Sequence, residues 1–574
     1  MFGFHADLWS LENVFAIEAG SANPIMAITI AGNISSHVEP QSKLNLNSEE
    51  FDNNKSSMLE MISELNELLD EAEAGGGPDH HKRLAARGKL PVRERVFHFL
   101  DPDSPFLEIS GLAAYKSEYP IGGGAFAGIG VSSGIECVIF ANDPTVLAGA
   151  MHFYSVKKWM RCMQIARDCR IPFIQFVESA GGDLRPRAGA AVGGMGHFAE
   201  SGRQFYEITE LSKLNIPTVT VAFGTATAGG AYQPGMSDYN IFVKNQADVA
   251  LAGPPLVQMA TGEISSREDI GGAKMHAEKS GLAEYLAEDD LDGIRIAREV
   301  MSHLNWDKEG NNPRFEIAPP KYSQEDLLGI IEPSLKTPFD IREIIGRISD
   351  GSKFEEFKPL FGPTIICGFI SIHGYPVGVL GNNGMLFPDA SQKAAHFIQL
   401  CNKRNLPLVF LQNITGFMVG KDYEQDGSIK KGAQMLNAVS NSNVPHLTVI
   451  VGNSYGAGTY AMSGREFGNS FTFLWPTAKI AVMGGEVIAG VMSIVRRGQA
   501  ARKGLKFNEK ADAEIVKNQQ ISHDKGSKAL RATSVISDDG IIDPRDTRNV
   551  LGMCLSIVNN KEVKGSEGFG VFRL

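Results

Sequence analysis

Four glycine-rich turns are the parts of this sequence best suited to chemistry. Each follows a short apolar run rich in β-branched residues, which is typical of a buried strand. A glycine turn exposes backbone N–H groups that no side chain obstructs. Donors from two such turns form an oxyanion hole, which stabilises a thioester oxygen as it becomes an enolate. The turns are Ser179-Ala180-Gly181-Gly182, Ala228-Gly229-Gly230-Ala231, Thr415-Gly416-Phe417 and Gly456-Ala457-Gly458.

One such turn by itself more often serves tight packing, and only its repetition favours a functional role. The sequence contains no phosphate loop GxxxxGK[ST] and no zinc motif HExxH. The stretch from Gly128 to Gly134 approaches a dinucleotide-binding fingerprint, but its third glycine falls one residue late and a strand follows it. A shortage of candidate acids and bases indicates enolate chemistry in which the other reactant supplies the base.

The turns belong to a long internal repeat. Residues 217–232 match 445–460 at an offset of 228, and residues 158–172 match 393–407 at an offset of 235. Further upstream, 128–143 matches 368–383 at an offset of 240, and 93–101 matches 342–350 at 249. Four blocks in the same order predict two copies of one β/α domain, with ligand-binding loops at the strand ends.

The predicted organisation has three parts. They are an N-terminal extension of unknown role over 1–55, a first domain over 56–312 and a second domain over 321–574. Residues 45–55 are polar and acidic like a linker, and Met58 opens an amphipathic helix. The first 42 residues contain no Lys or Arg, unlike a secretory signal or a mitochondrial transit peptide. We therefore expect a cytoplasmic location, or the mitochondrial matrix only for a eukaryotic source.

Composition excludes several classes of function. The chain has 574 residues, with 55 Lys and Arg against 66 Asp and Glu, and its net charge is −11. This acidic balance argues against a general nucleic-acid binder. No apolar run reaches the roughly 18 residues of a membrane-spanning helix. The six cysteines form no CxxC pair, which predicts buried free thiols in a reducing cytosol.

At the glycine turns the chain resembles the carboxyltransferase (beta) subunit of biotin-dependent acyl-CoA carboxylases, in the methylcrotonoyl-CoA and geranyl-CoA branch. The resemblance covers residues 75–570 and implies an α/β fold of two tandem crotonase-like (ClpP/crotonase) domains related by internal duplication. It is carried by Arg87-Gly-Lys-Leu90, Thr227-Ala-Gly-Gly-Ala-Tyr232, Gly253-Pro-Pro-Leu-Val257, Gly271-Gly272, Asn413-Ile-Thr-Gly-Phe-Met-Val-Gly420, Gly456-Ala-Gly458, Trp475-Pro476 and Val482-Met-Gly-Gly-Glu486.

The resemblance also implies an assembly and a division of labour. Family members form hexamers of three dimers, with each active site between the first half of one subunit and the second half of its dimer mate. The first half binds acyl-CoA, so its oxyanion hole is carried onto Gly181, Gly182, Gly229 and Gly230. The second half receives biotin, whose hole is carried onto Phe417, Ala457 and Gly458. Further biotin-side positions are Gly416, Gly456, Tyr455, Gly484 and Gly485.

No biotin-attachment phrase is present, because Gly272-Ala-Lys-Met275 lies within a family motif. The resemblance therefore implies a separate biotin-carrying, ATP-using alpha subunit as partner, and no ATP, metal, nucleic acid or membrane bound by this chain. CO2 would move from carboxybiotin to the α-carbon of an acyl-CoA or the γ-carbon of an enoyl-CoA. The basic run 82–95 and the pair Lys157-Lys158 are as consistent with contacts to CoA phosphates as with a salt-bridged surface, whereas His80-His81 is typical of a solvated helix face.

The chain departs from the family pattern beside the first turn. The family reads Glu/Asp-Ser-Gly-Gly-Ala where this chain has Glu178-Ser-Ala-Gly-Gly-Asp183, and residues 184–191 differ from the methylcrotonoyl pattern. The resemblance implies that the segment 181–195 lines the acyl pocket, and this segment is rich in Gly and Ala. Asn453-Ser-Tyr455 stands where Gly-Ser-Phe is usual. We expect an acyl group bulkier than methylcrotonoyl, such as geranyl. The alternatives are a biotin-dependent acyl-CoA decarboxylase with a sodium-pumping membrane partner, or a non-catalytic paralogue in a carboxylase complex.

Overall fold

The computed structural model describes residues 41–183, 185 and 202–573. Its sixteen strands within these residues are β1 Leu107–Glu108, β2 Ala125–Ser132, β3 Ile135–Asn142, β4 Phe173–Ser179, β5 Thr218–Thr227, β6 Tyr239–Val243, β7 Asp248–Ala250, β8 Tyr285–Ala287, β9 Glu355–Glu356, β10 Ile365–Ile372, β11 Tyr375–Asn382, β12 Leu408–Ile414, β13 His446–Tyr455, β14 Phe471–Leu474, β15 Lys479–Ala481 and β16 Gly540–Ile541.

Helices alternate with these strands. They are α1 Glu49–Ala74, α2 Pro78–Ala85, α3 Val92–Phe99, α4 Phe153–Cys169, α5 Arg203–Lys213, α6 Tyr232–Gly235, α7 Pro254–Thr261, α8 Arg267–Gly271, α9 Ala273–Met275, α10 Asp290–Ser302, α11 Arg342–Ile348, α12 Pro388–Lys403, α13 Lys421–Gln425, α14 Ser428–Ser440, α15 Ala457–Ala461, α16 Gly485–Arg502, α17 Glu509–Gly526, α18 Ala529–Ser534 and α19 Thr547–Val558.

The strands form two eight-stranded sheets of the same topology. The first sheet has the order β1-β2-β3-β4-β5-β6-β8, with β7 paired to β5. The second has the equivalent order β9-β10-β11-β12-β13-β14-β16, with β15 paired to β13. In each sheet a hairpin is followed by parallel pairs, from β3 to β4 to β5 and from β11 to β12 to β13. The predicted duplication is confirmed, and the offsets of 240, 235 and 228 fall on equivalent strands.

The same hairpin explains the glycines from Gly128 to Gly134, whose spacing approaches a dinucleotide-binding fingerprint. Gly128 and Gly130 lie inside β2, and the third glycine, Gly134, lies in the turn to β3 with φ +76°. Since its glycines form a strand and a hairpin turn, the segment has no phosphate-binding loop. The expected free thiols are also confirmed, because all six cysteines are buried and unpaired. Burial raises the pKa of Cys162 to about 12, so that thiol stays protonated.

A buried ion cluster joins the two halves. Arg161 of α4 donates from Nε to Oδ1 of Asp539 at 2.7 Å, and Arg465 contacts the same carboxylate at 2.8 Å. Asp539 is fully buried. Burial alone would raise the pKa of Asp539, but the two guanidinium groups hold it well below its usual range. The cluster therefore fixes the first half against the strand β16 of the second.

The helix α1 begins earlier than the sequence suggests. It starts at Glu49 rather than Met58, because Ser48 caps it by accepting a hydrogen bond from the N–H of Phe51 and acidic residues fill the first turn. Phe51 and Asn54 are buried against the second half, where Asn54 donates to the carbonyl of Gly329 at 3.2 Å. The expected linker over 45–55 is therefore wrong. Among the described residues no helix is both long and apolar enough to cross a membrane.

The contact of Phe51 with the second half predicts a large cost of truncation. Phe51→Ala should lower the free energy of unfolding by about 3 kcal/mol, because the ring is buried and packs directly on Gly329. Chemical denaturation of the purified chain measures this loss. Phe315→Ala, which truncates a largely exposed ring, is the matched control and should change stability by less than about 0.5 kcal/mol. Equal losses in the two variants would contradict the packing.

Asp538 gives a prediction of pH dependence. Burial, together with the neighbouring Asp539 carboxylate, raises the pKa of Asp538 to about 7. A carboxyl whose pKa is raised on folding stabilises the protein at low pH, and that stability is lost as pH rises from its unfolded value towards 7. Asp538→Asn should therefore raise the melting temperature by about 2–4 °C at pH 8. At pH 5 the difference should be much smaller, because most of the loss occurs between pH 5 and pH 7, and an equal difference at both pH values would refute the titration.

Candidate functional site

The glycine turns lie where parallel strands end. Because β4 and β5 are paired in parallel, with Phe173 opposite Thr218 and Ser179 opposite Ala226, their carboxyl ends reach the same edge of the first sheet. The turn after β4 contains Gly181 and Gly182, and the turn after β5 contains Gly229 and Gly230. A Cβ on Gly181 would lie 3.0 Å from the carbonyl oxygen of Thr227, so the two turns are in contact.

The first turn of each half is an extra point of sheet pairing. Gly182 forms an isolated parallel bridge with Met151, and Phe417 forms the equivalent bridge with Leu386. In the second half α13 starts only at Lys421. The expectation that this turn opens a helix is therefore wrong for 415–417. Its backbone is held extended because the N–H of Leu386 donates to the carbonyl of Gly416 at 3.1 Å and the N–H of Met418 to Leu386 at 2.9 Å.

The second turn of each half does open a helix. Ala228 begins a 3₁₀ turn over Ala228–Ala231, and Gly456 is the N-cap of α15. Both residues have left-handed backbone, with φ +53° at Ala228 and +58° at Gly456. Equivalent residues therefore share an uncommon conformation that only glycine adopts without strain.

Among the described residues, the backbone N–H groups that these turns leave without a protein acceptor include six at equivalent positions of the two halves. They belong to Gly182, Gly229, Gly230, Phe417, Ala457 and Gly458. The first three and the last three occupy equivalent positions of the two halves. In the first turns the bridge explains this, since Met151 and Leu386 bond to the flanking residues and not to Gly182 or Phe417. In the second turns the donors are at the start of a helical turn, where no preceding carbonyl is in position.

Gly181 differs from the other predicted hole residues. Its N–H donates to Oγ of Ser179 at 3.2 Å, and its carbonyl accepts from the N–H of Met151 at 2.8 Å. Its φ of +89° provides the left-handed step that turns the chain after β4. Gly181 therefore shapes the turn. Of the two predicted donors in that turn, Gly182 is the one whose N–H is not engaged by a described residue.

The predicted biotin-side residues cluster around the turn at Gly456. The N–H of Gly456 donates to Ala481 at 3.0 Å, and a Cβ on Gly484 would lie 3.6 Å from the ring of Tyr455. Gly485 lies against Asp524, whose Oδ1 would be 2.5 Å from an added Cβ. Burial, and then the charge of Asp524, raises the pKa of Tyr455, which keeps its hydroxyl protonated. Gly416 completes the group, since an added Cβ on Gly458 would lie 3.4 Å from its Cα.

A buried charge cluster supports the turn after β4, and the sequence reasoning missed it. The Glu178 carboxylate accepts from Nζ of Lys89 at 2.6 Å and from Nη1 of Arg95 at 2.9 Å. Arg95 also donates from Nε to Asp290 at 2.9 Å. The sequence signal that could have indicated this cluster is Gly224, which recurs as Gly452. A Cβ on Gly224 would lie 2.5 Å from Glu178, and a Cβ on Gly452 would lie 2.5 Å from Asn413.

The basic groups divide into two sets. Lys89, Arg93 and Arg95 are held in ion pairs, while Lys157 and Lys158 donate to backbone carbonyls. Lys82, Arg83 and Arg87 are exposed on α2 and its C-terminal turn, as is His80. The interpretation as salt-bridged residues therefore fits positions 89–95 of the basic run. Of the cations in this run, those at positions 82–87 are the ones accessible to a ligand from solvent. No group of three or more potential metal ligands occurs in the described residues.

The segment expected to line the acyl pocket, 184–195, lies outside the described residues apart from Arg185. Arg185 donates from Nε to Asp183 at 2.7 Å. Asn453, which also departs from the family pattern, and the adjacent Ser454 are buried at the end of β13. Ser454 donates to Gln412 at 2.7 Å, and the N–H of Asn453 donates to Asn413 at 3.1 Å.

Two equivalent sheets, each ending in paired turns, define a tandem crotonase-like protein. Residues 83–570 match the family model described as "Carboxyl transferase domain". The chain belongs to this carboxyl transferase family, as the sequence resemblance predicted.

Relatives and solved structures agree with this assignment. A Mycobacterium tuberculosis protein described as "probable biotin-dependent acyl-coenzyme A carboxylase beta2 subunit" is 49% identical over 535 residues, covering 93% of this chain and 100% of the relative. The mitochondrial methylcrotonoyl-CoA carboxylase beta chain of Dictyostelium discoideum is 42% identical, covering 92% and 90%. The crystal structure of the beta subunit of P. aeruginosa geranyl-CoA carboxylase is 41% identical, with a TM-score of 0.83, covering 93% of this chain and 99% of that one.

The close approach at Gly458 predicts a defect specific to the second half. A methyl group there would lie 2.6 Å from Cγ1 of Ile414 and 3.4 Å from Cα of Gly416. Gly458→Ala should therefore displace the donors and lower the rate of carboxyl transfer by about 100-fold. Steady-state assay of the complex with the biotin-carrying subunit measures this rate. Gly568→Ala near the C-terminus, where an added methyl meets no described atom, is the control and should keep its rate, so equal rates in both variants would count against the site.

Proposed function

We propose that this chain is the carboxyltransferase subunit that moves CO2 from carboxybiotin, carried by a partner subunit, to a branched enoyl-CoA. The observation that carries the proposal is the twofold repetition of paired turns, each half presenting three equivalent N–H donors without protein acceptors among the described residues. Two such sites suit a reaction in which two carbonyl-type oxygens gain negative charge in turn.

In the first half, Gly182, Gly229 and Gly230 would hold the thioester oxygen. Their N–H groups are backbone donors fixed by the pairing of β4 with β5 and by the bridge to Met151, so no reorganisation is needed when charge develops. Gly181 contributes the turn, with its own N–H engaged by Ser179. Glu178, near the end of β4, is ion-paired to Lys89 and Arg95 and would not act as a base.

In the second half, Phe417, Ala457 and Gly458 would hold the ureido oxygen of biotin. The residues fit this group because an oxygen acceptor needs converging donors and no neighbouring side chain at the turn, and the contact of Gly458 with Gly416 brings the two turns together. Tyr455, Gly456, Gly484 and Gly485 would form the adjoining wall. Carboxybiotin supplies both the CO2 and, once CO2 has left, the base for the carbon to be carboxylated.

We propose the identity of the acyl group from the residues beside the first turn. The family's alanine position is occupied by Gly182, and the segment 181–195 is rich in Gly and Ala, which favours a substrate larger than methylcrotonoyl-CoA. The beta subunit of geranyl-CoA carboxylase as structural neighbour supports this choice. For the CoA phosphates, the exposed cations Lys82, Arg83 and Arg87 are the candidates in the run 82–95.

The assembly is proposed to be a hexamer of three dimers, with a site shared between the halves of two subunits. Exposed apolar side chains along α16 support an interface there: Val487, Val491, Ile494 and Val495. The two sheets support a functional division into 56–312 and 321–574, and residues 41–55 are the described part of the extension 1–55. We propose the cytoplasm as its location, or the mitochondrial matrix for a eukaryotic source.

The decisive test is reconstitution with the biotinylated partner. ATP-dependent fixation of labelled bicarbonate should be measured with geranyl-CoA, methylcrotonoyl-CoA and propionyl-CoA as substrates. We expect geranyl-CoA to give a kcat/KM at least about tenfold above that of methylcrotonoyl-CoA, since one extra prenyl unit adds several buried methylene groups. Equal values would refute the preference for a bulky acyl group. Absence of fixation with every branched enoyl-CoA would refute the proposed function.

A further inference from the structure

The buried cluster of Lys89, Arg95, Glu178 and Asp290 is larger than the fold requires. Glu178 is the penultimate residue of β4 and stands directly before the turn that contains Gly182. Its side chain is 12% exposed, and the side chains of Lys89, Arg95 and Asp290 are 9%, 1% and 2% exposed. Placing two cations and two anions in so dry a place is costly unless geometry gains from it.

Lys89 connects the two strands that deliver the thioester donors. Its Nζ donates to Oε1 of Glu178 on β4 at 2.6 Å and to the carbonyl of Phe223 on β5 at 2.8 Å. One ammonium group therefore ties the residue before the first turn to the strand before the second. Arg95 adds to this tie, since its guanidinium bonds Glu178 and lies 4.4 Å from the ring centre of Phe223.

The carboxylate of Glu178 also fills the space beside Gly224. A Cβ on Gly224 would lie 2.5 Å from Cδ of Glu178, so β5 carries glycine there to admit the acid. The backbone of residue 178 is in equally close contact, because a Cβ on Gly149 would lie 2.0 Å from its carbonyl oxygen. Small shifts of Glu178 are therefore transmitted directly to β5 and to the residues beside Gly182.

The second half solves the same packing problem without charge. Asn413 occupies the position of Glu178, against Gly452 in place of Gly224, and its Oδ1 accepts from the N–H of Asn453 at 3.1 Å. By the same offsets Pro338 and Ile344 replace Lys89 and Arg95. Because the same strand pair forms with neutral side chains, the fold alone does not require the four charges.

We propose that Lys89 and Glu178 are positioning residues of the thioester site, fixing the spacing between the donor of Gly182 and those of Gly229 and Gly230. This inference rests on the proposed function. A rigid strut between the strands matters most when charge develops on the thioester oxygen, because a donor displaced by a fraction of an ångström then loses much of its stabilisation. Substrate binding, which uses many other contacts, depends on the spacing much less.

The test compares shape with charge at residue 178 in the complex with the biotin-carrying subunit. Glu178→Gln keeps the length of the side chain and an oxygen that can accept from Lys89. The amide of Asn413 is the equivalent neutral group in the other half. Glu178→Asp keeps the charge but is one methylene shorter. A strut predicts that Gln retains kcat within about threefold while Asp loses about tenfold or more, with KM for acyl-CoA nearly unchanged in both. The reverse order, or a change confined to KM, would overturn the proposal.

Lys89→Met and Arg93→Met separate positioning from stability. Arg93 lies on the same helix as Arg95 and forms a partly buried ion pair with Glu108 at 2.9 Å, away from the turns. Lys89→Met should lower kcat by about tenfold or more, whereas Arg93→Met should lower the melting temperature without lowering kcat. If both variants lose kcat only in proportion to folded protein, Lys89 is structural and the proposal fails. If Lys89→Met does not fold, the comparison of Gln with Asp decides. Absence of activity in the parent complex would instead reject the proposed function.

Discussion

Parallel pairing of two central strands in each half is the constraint on which the rest of the structure depends. Strands that run in parallel end at one edge of a sheet, so the pairs β4–β5 and β12–β13 place two turns side by side in each half. A shift of the register by one residue would separate Gly182 from Gly229 and would reverse the faces of every side chain in the strand. The burial of these strands on both faces fixes that register, since a slip would expose part of the core.

The two halves keep the backbone of the site and differ in what surrounds it. The bridges at Gly182 and Phe417, and the left-handed residues Ala228 and Gly456, are equivalent in position and conformation. By contrast, the residue before the first turn is a paired acid in one half and an amide in the other. Duplication thus preserved the donors while the side chains around them diverged, which is expected when main-chain groups do the chemistry and side chains adapt each site to its ligand.

Much of this architecture could be predicted from the sequence because repetition and glycine are local signals. The matched blocks located equivalent strands, and the glycine turns located the donors within one residue, with Gly181 as the exception. Its N–H is taken by Ser179, a contact that depends on the rotamer of one hydroxyl. The start of α1 was missed because the partner of Phe51, Gly329, lies far along the chain. The cluster of Lys89 and Glu178 was missed for the same reason, since its members are distant in sequence.

The chain ends cross between the halves, and this has a consequence for how the protein is made. Residues near the start of α1 pack on Gly329, and α4 of the first half is held by Asp539 and by α19 near the C-terminus. A ribosome releases the N-terminal sheet long before residue 539 exists. During that interval the α4 face and the ring of Phe51 have no partner from their own chain. The nascent protein therefore exposes apolar surface until synthesis is nearly finished, which makes shielding by chaperones a requirement of this topology.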